Sequence, residues 1–238
     1  VSGGLQDGLV LENLRFQTTG VDVALPKTRL QLNLARLLSG EIIVDDLSLT
    51  RPKIAIDTSV MAPSEEKETE SGPMEKIHLP VSVQVKNVAI TDFDMKLDQS
   101  NITFSSFQSA VSLNNESGLT LEPTTLSDVL FSTVSQTQPN TPQPEKKEPA
   151  KPVDWAQIEQ TLTPAFLGNL NAVNLPFDMH IPSFLGTNWQ YQSLNEKGEE
   201  IQKITVPKVE LQADATDHLV KLQKLDIDSS LGTLSSQG

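Results

Sequence analysis

The sequence has 238 residues, of which 37% are hydrophobic, 5% are aromatic and 21% are charged, with a formal net charge of −13. This acidity, and the lack of a basic stripe, argue against nucleic acid as a partner and against a protein that lies flat on an anionic membrane. Because the sequence has no cysteine, disulfides and thiolate zinc sites are excluded. No segment reaches the roughly 18 consecutive apolar residues that a spanning helix needs.

The most regular feature is a short recurring sequence pattern: an apolar pair, one or two polar residues, and then alternating apolar positions. It occurs at residues 9–16, 43–49, 85–90 and 222–228. Strict alternation predicts strands with one apolar and one polar face. Because the unit recurs, we expect one sheet that grows by the addition of similar pieces.

Residues 1–58 are predicted to form strands, with a turn at residues 18–20. Residues 34–40 have helix-like spacing and end in glycine, which predicts a single helical turn. The strand pattern resumes after this turn and is interrupted at Arg51 and Pro52, where proline suits an edge or a bulge.

Residues 60–75 are acidic, polar and bounded by proline, which predicts a solvated loop. Strand patterns return over residues 79–130. The apolar parity shifts at residues 86–87, and it shifts in the same way at residues 45–46. One extra residue in a strand is a β-bulge, and repeated bulges at equivalent places bend a flat sheet into a trough.

Three regions are therefore expected. Residues 1–134 form a first strand region, residues 135–153 a proline-rich flexible spacer, and residues 154–238 a short helix followed by further strands. The helix would begin at Asp154 and end near Pro164. Since the chain starts without methionine and ends just after a strand-like run, we expect a fragment of a longer protein.

No catalytic or metal-binding constellation is visible in the sequence. Asp45 and Asp46 fall at a predicted bulge, and Asp92 and Asp94 fall on the polar side of a strand, so a structural role is favoured over acid–base chemistry for both pairs. We predict no enzyme activity and no cofactor. The sequence has three histidines, His78, His180 and His218. Their spacing is not that of metal ligands.

These patterns predict a mainly β fold with very little helix: a curled, elongated, one-sided sheet, or groove, with an apolar concave face. Little of the chain could cover that face, so we expect an apolar ligand along it. Taken singly, each lining residue is more often one that packs on a neighbour. The predicted lining residues are Leu14, Phe16, Val23, Leu32, Val44, Leu47, Leu49, Ile54, Ile56, Val83, Val85, Val88, Ile90, Phe93, Met95, Leu97 and Phe104.

Several segments, in this order, resemble the TamB family, a branch of the AsmA-like group that is similar to eukaryotic bridge-like lipid transfer proteins. The resemblance covers nearly the whole chain apart from residues 135–175. The segments that carry it are residues 1–16, 43–49, 53–57, the acidic loop ending at residues 71–73, 121–126 and 225–230.

The resemblance implies a periplasmic protein held in the bacterial inner membrane by an N-terminal helix that is absent from this sequence. It implies phospholipid as cargo and the outer-membrane barrel TamA as partner. The alternative is a scaffold or chaperone for outer-membrane protein assembly, whose open sheet edge pairs with incoming strands. A glycan-binding or glycan-cleaving β-solenoid is disfavoured, because stacked aromatic residues are expected there and the sequence has one Tyr and two Trp.

Overall fold

A computed structural model of the chain describes residues 1–4, 7–37, 39–61, 81–115, 117–134, 177–216 and 219–237. These residues form strands almost throughout, which confirms the predicted mainly β class. The helices are α1 (Leu34–Leu37) and a 3₁₀ turn (Thr58–Val60). The strands are β1 (Leu9–Thr18), β2 (Val21–Leu32), β3 (Glu41–Thr50), β4 (Lys53–Ile56), β5 (Ser82–Leu97), β6 (Ser100–Asn114), β7 (Gly118–Leu121), β8 (Thr124–Ser127), β9 (Leu130–Val134), β10 (Met179–Leu194), β11 (Glu200–Ala215), β12 (Val220–Ser229) and β13 (Gly232–Gln237).

All of these strands belong to one curled 13-stranded sheet in the order β1-β2-β3-β5-β6-β7-β10-β11-β12-β13. Strand β4 continues the line of β3 between β2 and β5, and β8 and β9 continue the line of β7 between β6 and β10. The described strands on both sides of residues 135–176 are therefore part of the same sheet.

The sheet is built from units that share one strand pattern. Neighbouring strands run antiparallel except at two junctions, where the β3–β4 line meets β5 and the β7–β8–β9 line meets β10 in parallel. These junctions divide the sheet into β1–β4, β5–β9 and β10–β13, and each unit begins with an antiparallel hairpin. The sheet therefore consists of similar units, but these do not coincide with the repeats seen in the sequence, which lie on β1, β3, β5 and β12.

Local predictions for the first unit are also confirmed. A tight turn at residues 19–20 joins β1 to β2, and Gly20 has the positive φ of 77° that such a turn requires. The expected helical turn is α1. Proline was expected at a sheet edge or at a bulge. Pro52 is buried inside the sheet, at the break between β3 and β4, so it lies at an irregularity and not at an edge.

The predicted bulges form a line across the sheet, which we call the bulge line. Val44 pairs with Val85 and Leu47 pairs with Val88, so residues 45–46 lie opposite residues 86–87. Register shifts mark the flanking pairs of strands at the same level, and they recur between β10 and β11 and between β11 and β12. This confirms the parity shifts predicted from the sequence.

A second line of irregularity, which we call the crease, crosses the sheet and was not predicted. Its left-handed residues have φ between 54° and 57° in β1, after β3, in β5, between β8 and β9, and in β10. Asp and Asn tolerate this conformation because their short polar side chains bond locally. These residues are Asn13, Arg51, Asp92, Asp128 and Asn188.

The register is unchanged through the crease, because each strand line that crosses it, from β1 to β11, carries the same two-residue step. For example, Thr91 pairs with Ser106 and Phe93 pairs with Phe104, so Asp92 lies opposite Ser105. Two consecutive residues of each strand then face the polar side, and the apolar positions change parity together. The strands that run in the opposite direction place Pro26, Ser105 and Pro207 in this row, as the flanking pairs show.

The described residues form a single layer without a sealed core. Among them Ala213 and Pro52 are the only buried apolar residues other than glycine, and no large side chain is fully buried. Within the described chain, no helix is both long and apolar enough to cross a membrane. Residues 62–75 of the expected acidic loop, the spacer and the helix expected at Asp154 lie outside the described residues.

Candidate functional site

All of the predicted lining residues lie in described strands, and the strand register brings them together on one face. We call this the apolar face, and the opposite one the polar face. Residues that pair directly project to the same side of a sheet. The pairs that join the predicted residues are Phe16–Val23, Val23–Ile54, Ile54–Met95, Ile56–Leu97, Leu32–Val44, Val44–Val85, Leu47–Val88, Leu49–Ile90 and Phe93–Phe104, while Leu14 pairs with Leu25 and Val83 with Leu113.

The apolar face also contains residues that are not among the predicted lining residues, most of them on β6 to β12. The alternating apolar residues of residues 102–131 and 177–227 indicated strands, and the register now places them on this face. The additional residues are Leu25, Phe107, Leu126, Phe131, Phe184, Trp189, Tyr191, Val206, Val209, Leu211, Leu225 and Ile227.

Aromatic rings are concentrated on the apolar face in the middle of the sheet. They lie on β5, β6, β9 and β10 and form three contacting pairs. Two of these pairs are stacked and the third is edge to face. Such pairs stabilise by about 0.5–1.5 kcal/mol beyond the area that they bury. The ring-centroid distances are 4.5 Å for Phe93–Phe104, 5.6 Å for Phe131–Tyr191 and 5.9 Å for Phe184–Trp189.

The indole of Trp189 covers Gly186 and bridges the crease. Its Nε1 donates to the carbonyl oxygen of Leu126 at 3.0 Å. A Cβ on Gly186 would lie 2.5 Å from the indole Cζ2, so the ring occupies the space that a side chain would fill. Phe184 and Trp189 are five positions apart and still contact each other, which shows the parity change at the crease.

The apolar face is open among the described residues. On the first strand Leu14 is 39% exposed and Phe16 is 62% exposed, and the lining residues further along are half-buried. Soluble proteins rarely leave a continuous apolar face of this kind uncovered unless it binds something. The arrangement can therefore take an apolar ligand along the sheet.

A few buried hydroxyl side chains also lie on the apolar face. Ser109 and Thr124 are buried, and their hydroxyl oxygens lie 2.8 Å apart. Thr124 also donates to the carbonyl oxygen of Glu122 at 2.8 Å, beside the bulge line. Hydropathy alone could not place these residues on the apolar face. The Thr28 hydroxyl is buried between β1 and β3 without a hydrogen-bond partner.

The carboxylates at the bulge line hold neighbouring strands together on the polar face. Lys86 donates to Asp45 at 2.6 Å and Asn87 donates to Asp46 at 2.5 Å, while Arg29 lies 3.4 Å from Asp46. These contacts compensate for ladder bonds that the bulge interrupts. The structural role predicted for residues 45–46 agrees with this geometry.

The polar side of the crease carries its own network. Ser105 donates to Asp128 at 2.5 Å and Asn188 donates to the same carboxylate at 2.6 Å, so three strands are joined. Both hydrogen bonds, the one from Ser105 first, lower the pKa of Asp128 below its usual value. Further along, ion pairs with Lys208 and Lys224 likewise lower the pKa of Glu210.

The histidines do not come together into a site among the described residues. His180 on the polar face pairs with Asp214 of β11, which also accepts from Gln223. His78 and His218 lie outside the described residues. In the part of the chain that the structure covers, no group of three or more His, Asp or Glu side chains could hold a metal ion.

Comparison with known proteins gives one family and a strong relative. The family model described as "TamB, N-terminal domain" matches residues 1–238. The chain is 48% identical over 238 residues to a protein of Haemophilus influenzae named "Translocation and assembly module subunit TamB". The match covers 100% of this chain but 18% of that relative, so the chain spans about a fifth of the relative's length.

Proposed function

Because the chain belongs to the TamB family through its N-terminal domain, we propose that it forms part of a lipid conduit in the envelope of a Gram-negative bacterium. In this proposal the sheet lies in the periplasm and carries phospholipid acyl chains along its apolar face toward the outer membrane. An inner-membrane anchor and the barrel partner TamA would be engaged by other parts of the full-length protein.

One observation carries the proposal: the apolar face is continuous across the sheet and has no covering layer in the described residues. A phospholipid with roughly 30 methylenes in its two tails exposes apolar surface that costs more than about 20 kcal/mol in water, at about 0.8 kcal/mol per methylene. An unbroken apolar strip removes most of that barrier, because the tails never leave a dry surface.

The dimensions of the sheet suit this task. The longest strands have 16 residues, which corresponds to about 53 Å of strand at about 3.3 Å per residue. One bilayer leaflet is about 15 Å of hydrocarbon deep. Curling at the bulge line and the crease would bring two walls around a tail while the headgroup stays in water. In the proposal the apolar face is the concave side, and the lining residues predicted from the sequence are its wall.

A second candidate function is supported by the printed name of the Haemophilus relative, which describes a translocation and assembly subunit. A scaffold for outer-membrane proteins would bind polypeptide through the open edge of its sheet. That function depends on edge amides and not on a continuous apolar strip.

Site-specific photocrosslinking in the full-length protein in cells separates the two. A photoreactive residue at Val85 or Leu49, on the apolar face, is expected to give phospholipid adducts. The matched control is Gln84, which is exposed on the polar face of the same strand and should give none. Polypeptide adducts at Val85 and Leu49, without lipid adducts, would favour the scaffold and contradict the conduit.

A further inference from the structure

The two borders of the apolar face differ in chemistry. Along one border, where β5, β7 and β10 begin, the directly paired residues are all apolar. That row consists of Ile42, Val83, Leu113, Leu119, Met179, Ala215 and Val220.

The opposite border changes from aliphatic to hydrogen-bonding side chains along the sheet. In the first unit and β5 this row begins with Thr18 on the outermost strand and continues with the aliphatic residues Val21, Ile56 and Leu97. From β6 onward, the directly paired residues on the same face are Ser100, Thr133, Ser193 and Gln202. We call these four residues the hydroxyl row. It lies one step outside a row of large apolar residues, Ile102, Phe131, Tyr191 and Ile204.

Hydrogen-bonding groups beside an apolar strip fit an amphipathic ligand. Ser100 and Thr133 are half-buried, and their hydroxyl oxygens bond to each other at 3.3 Å. Hydroxyl and carboxamide side chains can donate to ester carbonyl oxygens, whereas alkyl side chains cannot. The aromatic rings of the next row are typical of the boundary between hydrocarbon and polar groups.

We propose that the hydroxyl row holds the glycerol-ester region of a glycerophospholipid, so that the lipid is oriented across the sheet with its tails pointing toward the crease. This inference rests on the proposed lipid conduit and specifies its geometry. The opposite apolar border then faces only hydrocarbon. The orientation begins at β6, because the same border is aliphatic across β2, β4 and β5.

The spacing along the strands supports the orientation. From Thr133 in the hydroxyl row to Asp128 at the crease there are five residues, or about 16 Å of strand. The hydrocarbon of one leaflet is about 15 Å deep. A tail whose ester lies at the hydroxyl row therefore ends near the crease, where Trp189 and Phe184 close the aromatic cluster.

Fluorescence quenching tests this orientation on the 238-residue chain. The natural tryptophans are first removed by Trp155→Phe and Trp189→Phe. Single tryptophans are then placed by Tyr191→Trp, one step from the hydroxyl row, or by Phe107→Trp, beyond the crease. The protein is loaded from phosphatidylethanolamine–phosphatidylglycerol vesicles that contain phosphatidylcholine with a nitroxide near the ester end or near the methyl end of a tail.

In the Tyr191→Trp variant, the ester-end label should quench at least about twofold more strongly than the methyl-end label. In the Phe107→Trp variant, the methyl-end label should be the stronger quencher. The difference is expected because about 16 Å of strand separates the row of Tyr191 from the row of Phe107. Equal or reversed orders, with quenching present, overturn the orientation and leave the conduit standing. No quenching of either variant by any labelled lipid contradicts the conduit itself.

A second set of variants tests the hydroxyl row directly. Ser100→Ala with Thr133→Val should remove the difference between the two labels at Tyr191→Trp, while the polar-face control Ser132→Ala should keep it. An unchanged difference in the double variant overturns the role of the row. Where Tyr191→Trp does not fold by circular dichroism, Phe131→Trp reports from the directly paired position.

Discussion

The contact between Gly186 and Trp189 on the apolar face can be tested by adding a single methyl group at Gly186. The substitution Gly186→Ala adds a Cβ at 2.5 Å from Cζ2 and 2.7 Å from Cε2 of the indole. Real carbon contacts lie near 3.5–4.0 Å, so the ring must move by about 1 Å or more. That movement disturbs the bond from Nε1 to Leu126 and the edge contact with Phe184.

The expected cost follows from opposing contributions. Overpacking of a fitted site costs about 1–3 kcal/mol, and loss of the indole hydrogen bond costs about 1 kcal/mol. Replacing glycine in a backbone that alanine can adopt returns about 0.4–1 kcal/mol through the unfolded chain. We therefore expect Gly186→Ala to lower the free energy of unfolding by about 1–3 kcal/mol.

Urea unfolding followed by circular dichroism measures this change, and a double-mutant cycle attributes it. In a Trp189→Ala background, Gly186→Ala should cost less than about 0.5 kcal/mol, because the obstructing ring is gone. The control Gly4→Ala meets nothing closer than 3.9 Å and should be nearly neutral. If Gly186→Ala is as stable as the parent, the indole does not lie over Gly186 and the account of the crease on the apolar face is refuted.

Three further outcomes are expected. Val85→Asp should stop lipid transfer between vesicles while Gln84→Asp, with the same charge on the polar face, transfers normally; equal transfer by both would contradict the conduit. Since hydrogen bonds lower the pKa of Asp128, its ionised form stabilises the fold above the unfolded pKa, near 3.9, and that contribution is lost as pH falls through the folded value. Asp128→Asn should therefore lower the urea midpoint at neutral pH and leave it closer to the parent in acid, and a pH-independent difference would argue against the network. Thr124→Val should lower the free energy of unfolding in urea by about 1–3 kcal/mol, because two hydrogen bonds of a buried hydroxyl are lost. The polar-face control Thr125→Val should change it by less than about 0.5 kcal/mol. Equal effects of the two substitutions would contradict the assignment of faces.

The sequence predicts the strands and the bulge line well, because both depend on local patterns. Alternation of apolar residues identifies strands, and the matching parity shifts at residues 45–46 and 86–87 identify bulges. The crease was missed for a physical reason. Thr91 and Asp92 form a polar pair that could equally end a strand, and only pairing with Ser105 and Ser106 shows that the strand continues.

The apolar face was predicted for β1 to β5 and for Phe104 of β6, because strong apolar alternation marks it there. Further along, small and hydroxyl residues such as Gly186, Ser109 and Thr124 occupy positions on the same face and break the hydropathy pattern. Their placement depends on tertiary contacts, including the indole over Gly186. The hydroxyl row could not be predicted, because its members lie far apart in the chain and meet only through the register.

The constant register at the crease has a consequence for how such a sheet can change length. Each strand line that crosses the crease contributes the same two-residue step, so a whole unit can be duplicated or deleted without displacing the fold line of its neighbours. A single inserted residue in one strand has no such freedom, because it would turn half of that strand's side chains to the wrong side. Gene duplication is therefore a gentler route to a longer or shorter molecule than any point insertion within a strand.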